Sequence, residues 1–349
     1  MCIRDSNNTG HVRIYEYSNN AWTQLGSDID GEAVDDRFGR SLSLNAFGDR
    51  IVIGARKNDG TGTDAGHARV FEYTNNAWSQ MGLDIDGEGA GDNFGRSVSI
   101  NAAGDRIAVG ANFNDGTGTD AGHVRVYEYI AAGSSWSQMG PDIDGEAAGD
   151  NSGYSISINA KGNRVAIGAP SNNGTGSGAG HVRVYEYISA ASSWSLLGSD
   201  IDGEAAGDDS GYSVYLNAVG DRVAVGAPFN SGSGSFAGHT RVYEYVNNSW
   251  SQLQNDMDGE AAGDNFGRSV ALNSNGDRVA IGATNNDGNG SNSGHARVYD
   301  LKEAADGTAP LMTISVVNSG GTVVNTGSTT QDSALTVTCL LYTSPSPRD

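Results

Sequence analysis

Basic residues are scarce in this chain: its 349 residues hold 21 Lys and Arg against 42 Asp and Glu, a formal net charge of −21. Phosphate recognition needs clustered Lys and Arg, so this balance excludes nucleic acid and anionic membrane surfaces as partners. No stretch approaches the roughly 18 consecutive apolar residues of a membrane helix, so no membrane span is expected. Cysteine is almost missing: there are two, Cys2 and Cys339, both close to an end of the chain. Disulfide arithmetic is therefore silent for everything between them.

Histidine and tryptophan are few as well, with six and five copies, but their positions are informative. His11, His67, His123, His181, His239 and His295 are separated by 56, 56, 58, 58 and 56 residues, and Trp22, Trp78, Trp136, Trp194 and Trp250 keep the same spacing. Self-similarity at this period marks a repeat protein. Within residues 92–136, Ser97–Ile100, Arg106–Gly110 and His123–Tyr129 are short runs rich in Val, Ile and Tyr, bounded by Gly, Asn and Asp. A fourth run follows around Trp136 and Met139. Such runs read as strands, and no segment has helical periodicity. Four strands per 56–58 residues make one antiparallel blade, and blades of this kind stack radially into a β-propeller. The fold class expected is all-β: five nearly complete blades behind a leading half-blade (His11 to Gly26), spanning residues 7–305.

The ends differ from the repeats. A DNA segment encoding Met1–Ser6, read as its reverse complement, encodes Cys-Leu-Leu-Tyr-Thr, the residues of Cys339–Thr343. Residues 1–6 and 339–349 are accordingly expected to be translated sequencing-adapter scars, with the natural chain running on beyond both ends and carrying further domains. Residues 306–338 form a Thr-, Ser- and Val-rich stretch. It resembles the opening of the Ig-like modules of bacterial surface proteins, cut short.

The segments Phe94-Gly95-Arg96-Ser97, Gly110-Ala111 and Gly122-His123-Val124-Arg125-Val126-Tyr127 resemble the FG-GAP repeat of integrin α-subunit propellers, whose bacterial relatives occur in large surface proteins. Phe38-Gly39 and Phe266-Gly267 repeat the first element, whereas Ser152-Gly153 and Ser210-Gly211 depart from it in the two repeats that carry the full Gly-Ala-Pro. The resemblance implies a non-enzymatic adhesion or ligand-binding module, secreted or at the cell surface, with an extracellular protein or glycan as partner. A carbohydrate-binding propeller and an accessory domain of an extracellular enzyme are the alternatives. It also implies calcium, held in an acidic loop between the first and second strands. Here that turn is only Asn-Ala-x-Gly-Asp, as at Asn101–Asp105, too short and too poor in carboxylates for a cation that takes 6–8 oxygens.

The acids lie elsewhere. Antiparallel order puts the fourth-to-first and second-to-third connections on one face, and 27 of the 42 acids fall in them. The fourth-to-first connection repeats Asp-Ile-Asp-Gly-Glu-Ala-x-x-Asp, which gives one group of calcium candidates per repeat. They are Asp28, Asp30, Glu32 and Asp36; Asp84, Asp86, Glu88 and Asp92; Asp142, Asp144, Glu146 and Asp150; Asp200, Asp202, Glu204 and Asp208; and Asp256, Asp258, Glu260 and Asp264. Two readings stand: hard oxygens on a Gly-containing turn suit calcium, and Asp with Gly also builds turns by hydrogen-bonding the backbone. The histidines sit in different blades and cannot share one zinc ion, so packing or capping of the strand start is expected of them. The Arg and Glu of His-Val-Arg-Val-Tyr-Glu-Tyr are expected to pair between blades. The tryptophans read as blade packing, with a sugar platform as the other possibility. Near-identical residues in every repeat argue against catalysis, which needs one constellation of unlike groups.

Overall fold

The computed structural model describes residues 8–301 together with the short strands Ile314–Val317, Val323–Val324 and Val337–Cys339. Four complete blades and one three-stranded blade follow a leading pair of hairpin pieces. Blade 1 is Ser41–Leu44, Arg50–Ala55, His67–Thr74 and Ala77–Gln80; blade 2 is Ser97–Ile100, Arg106–Ala111, His123–Ile130 and Ser135–Gln138. Blade 3 is Ser155–Ile158, Arg164–Ala169, His181–Ile188 and Ser193–Leu196, and blade 4 is Ser213–Leu216, Arg222–Ala227, His239–Val246 and Ser249–Gln252. Blade 5 is Phe266–Leu272, Arg278–Ala283 and His295–Asp300. Every neighbouring pair within a blade is antiparallel.

The inner strands stand side by side. Ala46 N–H donates to Ala102 O (3.2 Å), Ala102 to Ala160 (3.1 Å), Ala160 to Ala218 (3.0 Å) and Ala218 to Ser274 (3.1 Å). The inner strands and first turns of all five blades line one cavity of about 200 Å³. This is the radial order of a propeller, drawn as an arc whose sheets do not close.

The core lies between the blades rather than within them. The second strand of blade 2 turns Ile107, Val109 and Ala111 toward blade 1, where they join Val52, Val70 and Phe94. Its other face carries Arg106 at the strand start, whose guanidinium reaches Gly162 O, and then only Ala108 and Gly110, which lets blade 3 approach closely. Alternation along one strand therefore sets large side chains against the preceding blade and small ones against the following blade.

The tryptophans fasten neighbouring blades. Trp78, Trp136, Trp194 and Trp250 each donate the indole N–H, at 2.7 Å, to a backbone carbonyl of the preceding blade or half-blade: Leu25, Met81, Met139 and Leu197. Trp136→Phe keeps an aromatic ring and deletes that donor, so a loss of at least about 1 kcal/mol is expected in urea unfolding. Trp22 is 69% exposed, and Trp22→Phe should leave the midpoint unchanged.

The fourth strand differs from the sequence reading. It breaks after Gln138, and a further two-residue strand, Ile143–Asp144, pairs with His123 and Val124. Gly140 makes the bend at φ +74, with Gly26, Gly82 and Gly198 in the same role. The first half of the expected acidic loop is thus strand. The expected adapter-derived residues 1–6 and 340–349 lie outside the described residues. Within the stretch expected to open an Ig-like module, the three short strands make one sheet with Ile314–Val317 in the middle.

Candidate functional site

The third strand supplies the site. Its side chains alternate, so His123, Arg125 and Tyr127 face blade 1 while Val124 and Val126 face blade 3. Arg125 meets Glu88, from the connection entering blade 2, and Asp142, from the connection leaving it. Arg183 does the same with Glu146 and Asp200, and Arg241 with Glu204 and Asp256. Pairing of this Arg between blades is therefore observed. The Glu of Tyr-Glu-Tyr behaves otherwise: Glu128 pairs at 2.6 Å with Arg106 of its own blade, its register partner on the second strand.

The acids of one connection have four separate fates. Asp84 and its equivalents turn back to the blade they leave, as Asp142 does to Arg125 and to His123 Nδ1 at 3.6 Å. Glu88 and its equivalents reach forward to the next blade. Asp36, Asp92, Asp150, Asp208 and Asp264 are buried. Asp92 Oδ2 accepts from Gly89 N–H at 3.1 Å and from Asn114 Nδ2 at 2.8 Å, tying the acidic connection to the second-to-third loop of the following blade. Asp36, Asp150, Asp208 and Asp264 repeat both bonds. Asp30, Asp86, Asp144, Asp202 and Asp258 remain exposed on the short added strand. The acids of a single loop therefore do not converge on one point.

The first turns do not fit calcium either. Asn101 Oδ1 accepts the N–H groups of Asp105 and Arg106, and Asn101 Nδ2 donates to Asp105 Oδ1 at 2.8 Å. The one carboxylate of the turn is spent closing it.

His67, His123, His181 and His239 are buried, and burial lowers their pKa values, that of His67 to about 4. They are neutral imidazoles at pH 7. His123 and His295 lie edge-to-face with Phe94 and Phe266 at 6.4 and 6.3 Å.

A second cluster on the same face was not singled out in the sequence. Arg96 stacks over Tyr154 at 3.9 Å, Tyr154 packs on Tyr212 at 5.0 Å, and Arg268 lies over Tyr212 at 4.8 Å. The four side chains come from the starts of the inner strands of blades 2 to 5, so the ladder spans neighbouring blades near the axis. Burial and the bond to Tyr154 push the Tyr212 hydroxyl up to about 12. Arg56 is depressed by burial and by the charges of Arg96, Arg37 and Arg40. The inner mouth is thus cationic and aromatic inside an acidic rim. Its sequence signal is the exchange of Phe94-Gly95-Arg96-Ser97 for Ser152-Gly153-Tyr154-Ser155, which moves the aromatic ring two residues along.

Comparison with known proteins bears on the fold. The family model described as FG-GAP repeat matches residues 28–71, 84–127 and 257–299, which are the repeats with Phe38, Phe94 and Phe266. No curated protein matches the chain. Among solved structures, one titled as a candidate 6-phosphogluconolactonase from Bacteroides uniformis is 10% identical with a TM-score of 0.51, over 86% of this chain and 74% of that one. Hydrazine synthase of Kuenenia stuttgartiensis is 10% identical with a TM-score of 0.48, over 76% of this chain and 63% of that one. The first likeness extends to a shared propeller-like fold and no further. Among the described residues, no helix is long and apolar enough to cross a membrane.

Proposed function

Because the chain carries FG-GAP repeats at three positions and folds them as propeller-like blades, we propose that it is a non-enzymatic ligand-binding module of adhesive type from a secreted or cell-surface protein. The carrying observation is the ladder Arg96, Tyr154, Tyr212, Arg268. Half-buried rings flanked by guanidinium groups offer a stacking surface and fixed positive charge in one place. That chemistry suits a sugar ring bearing a carboxylate or sulfate, which favours an acidic glycan over a protein as the ligand. Calcium enters this reading as a weakly held counter-ion of the exposed aspartates Asp30, Asp86, Asp144, Asp202 and Asp258, with affinity in the range of extracellular modules, about 10⁻⁴–10⁻³ M.

A glycan array is the test, run with the full chain and with Tyr154→Ala/Tyr212→Ala. Binding to uronic-acid or sulfated glycans is expected, falling at least tenfold in the double variant. Silence across the array removes the saccharide reading, and unchanged binding by the double variant places the contact elsewhere.

A further inference from the structure

Buried polar groups almost always have a hydrogen-bond partner, and His67 and His123 of the third strands break that rule at Nε2. His67 and His123 are each 1% exposed, and their Nε2 atoms are buried with no partner. Their Nδ1 atoms face carboxylates, yet the nearest oxygens stand at 3.6 Å for His123 and 4.0 Å for His67. His181 and His239 repeat the gap at 3.8–4.0 Å. These distances are too long for N–H···O bonds, which run 2.7–3.2 Å.

The glutamates are held so that one oxygen stays available, whereas Asp142 and Asp256 give both oxygens to Arg125 and Arg241 and face the imidazole with the Oδ2 that also accepts from the guanidinium. Glu146 gives Oε1 to Arg183 and turns Oε2 to His181; Glu204 gives Oε1 to Arg241 and turns Oε2 to His239. Glu32 divides itself in the same way between Arg69 and His67. Asp200 gives Oδ1 to Arg183 and faces His181 with Oδ2. In blade 3 the guanidinium of Arg183 thus orients both acids, while their second oxygens converge on the imidazole of His181. In blade 1 the charge is unbalanced, since Glu32, Asp84 and Asp86 surround Arg69 and His67.

Four such groups recur: Glu32, His67 and Asp84; Glu88, His123 and Asp142; Glu146, His181 and Asp200; Glu204, His239 and Asp256. In each, one ligand atom per residue lies within 4.8 Å of the others. An ion bound tetrahedrally at about 2.0–2.2 Å sets its ligand atoms about 3.4 Å apart, so closure from the widest separation draws the side chains together by up to about 1.4 Å.

We propose that each of these four blade interfaces is a site for one divalent transition-metal ion of the zinc class, held by a Glu from the entering connection, the third-strand His and an Asp from the leaving connection. The donor set decides the ion: an imidazole nitrogen suits zinc, cobalt or nickel, whereas calcium selects oxygens. Because the ligands come from both sides of an interface, the ion would staple successive blades and stabilise the folded arc by mass action. The site stands apart from the glycan reading and survives its failure.

The experiment is titration of the metal-stripped full chain, carrying Cys2→Ser and Cys339→Ser to remove competing thiolates, with cobalt(II), zinc(II) and calcium in turn. Calorimetry, visible absorption and thermal melting are the readouts. Expected are four equivalents of cobalt at micromolar affinity, the visible bands of low-coordinate cobalt, and a rise in melting temperature with zinc that calcium does not reproduce. His123→Gln should lower the count to three. Glu88→Gln retains an amide oxygen for Arg125, decides the matter if His123→Gln does not fold, and should weaken one site at least tenfold. Absence of cobalt bands, or four sites of unchanged affinity in Glu88→Gln, overturns the proposal. So does an equal response to calcium and zinc, which would assign the ions to the acidic rim alone.

Discussion

Gly110→Ala is expected to cost about 3 kcal/mol, although it adds a single methyl group. The backbone there is ordinary strand, so the cost is one of space. A Cβ on Gly110 would stand 2.3 Å from Gly153 O and 2.5 Å from Ser97 Oγ, whose hydroxyl already donates to that carbonyl at 2.7 Å. Gly153 cannot retreat freely, because it sits at φ +82 where even a Cβ of its own would stand 2.6 Å from His123 O and 3.2 Å from Gly110 Cα. The methyl must part blades 2 and 3 and loosen the cluster of Val124, Val126, Ile156, Ile158 and Ile167. Gly168→Ala and Gly226→Ala should cost as much, with Gly211 O and Gly267 O at 2.1 and 2.0 Å. Gly282 of blade 5 supplies the control: its added methyl would meet the Ser269 hydroxyl at 2.5 Å and no carbonyl of a following blade. Gly282→Ala should stay within about 1 kcal/mol. Urea midpoints of the three variants and the control check this, and equal losses at Gly110 and Gly282 would refute the interface explanation.

The same contact shows why the repeats were legible. The glycine of Phe-Gly or Ser-Gly and the glycine of Gly-Ala face each other across the interfaces of the five blades, so the glycines that recur in sequence are those the radial stacking cannot change. The strands were legible for a similar reason: Ser97–Ile100 was read at its observed limits, and His123–Tyr129 ends one residue short. Ile143–Asp144 was not, because two residues carry no period and only pairing with His123 and Val124 defines them as strand. The polarity of the acids followed from chain direction, as the bonds from Thr61 to Gly87 O and from Gly91 to Thr63 O show by joining the two kinds of loop. Their individual fates did not. Whether an acid is buried like Asp92 or reaches Arg125 like Glu88 depends on a blade whose partner residue lies 22 or 37 positions further on. The separation of the histidines around the arc was foreseen, but the carboxylates brought to each of them by the two flanking connections were not.

Asp209→Asn is expected to stabilise the protein by about 1–2 kcal/mol at pH 7. Blades 2, 3 and 5 place Asn93, Asn151 and Asn265 at this left-handed position, and blade 4 places Asp209 there at φ +52. The asparagines use the conformation to donate: Asn93 Nδ2 to Gly91 O at 2.8 Å, Asn151 to Asp120 O at 3.1 Å, and Asn265 to Pro228 O at 3.1 Å. A carboxylate has no such donor. Burial, and then the charge of Asp208 beside it, raise the Asp209 pKa to about 6. The folded state therefore holds this proton more tightly than the unfolded chain, whose Asp titrates near pH 4. Stability from the bound proton is fully present below about pH 4 and is lost as pH rises through 6, leaving a charged, partly desolvated group at pH 7. Raising a carboxyl pKa from about 4 to about 6 is equivalent to roughly 3 kcal/mol, which solvent screening at a half-buried site reduces. The amide removes the titration and restores the donor. Its advantage in denaturant midpoint should consequently be large at pH 7 and shrink toward the hydrogen-bond contribution alone, about 1 kcal/mol or less, near pH 4. A gain of the same size at both pH values would mean that the charge of Asp209 is not what blade 4 tolerates.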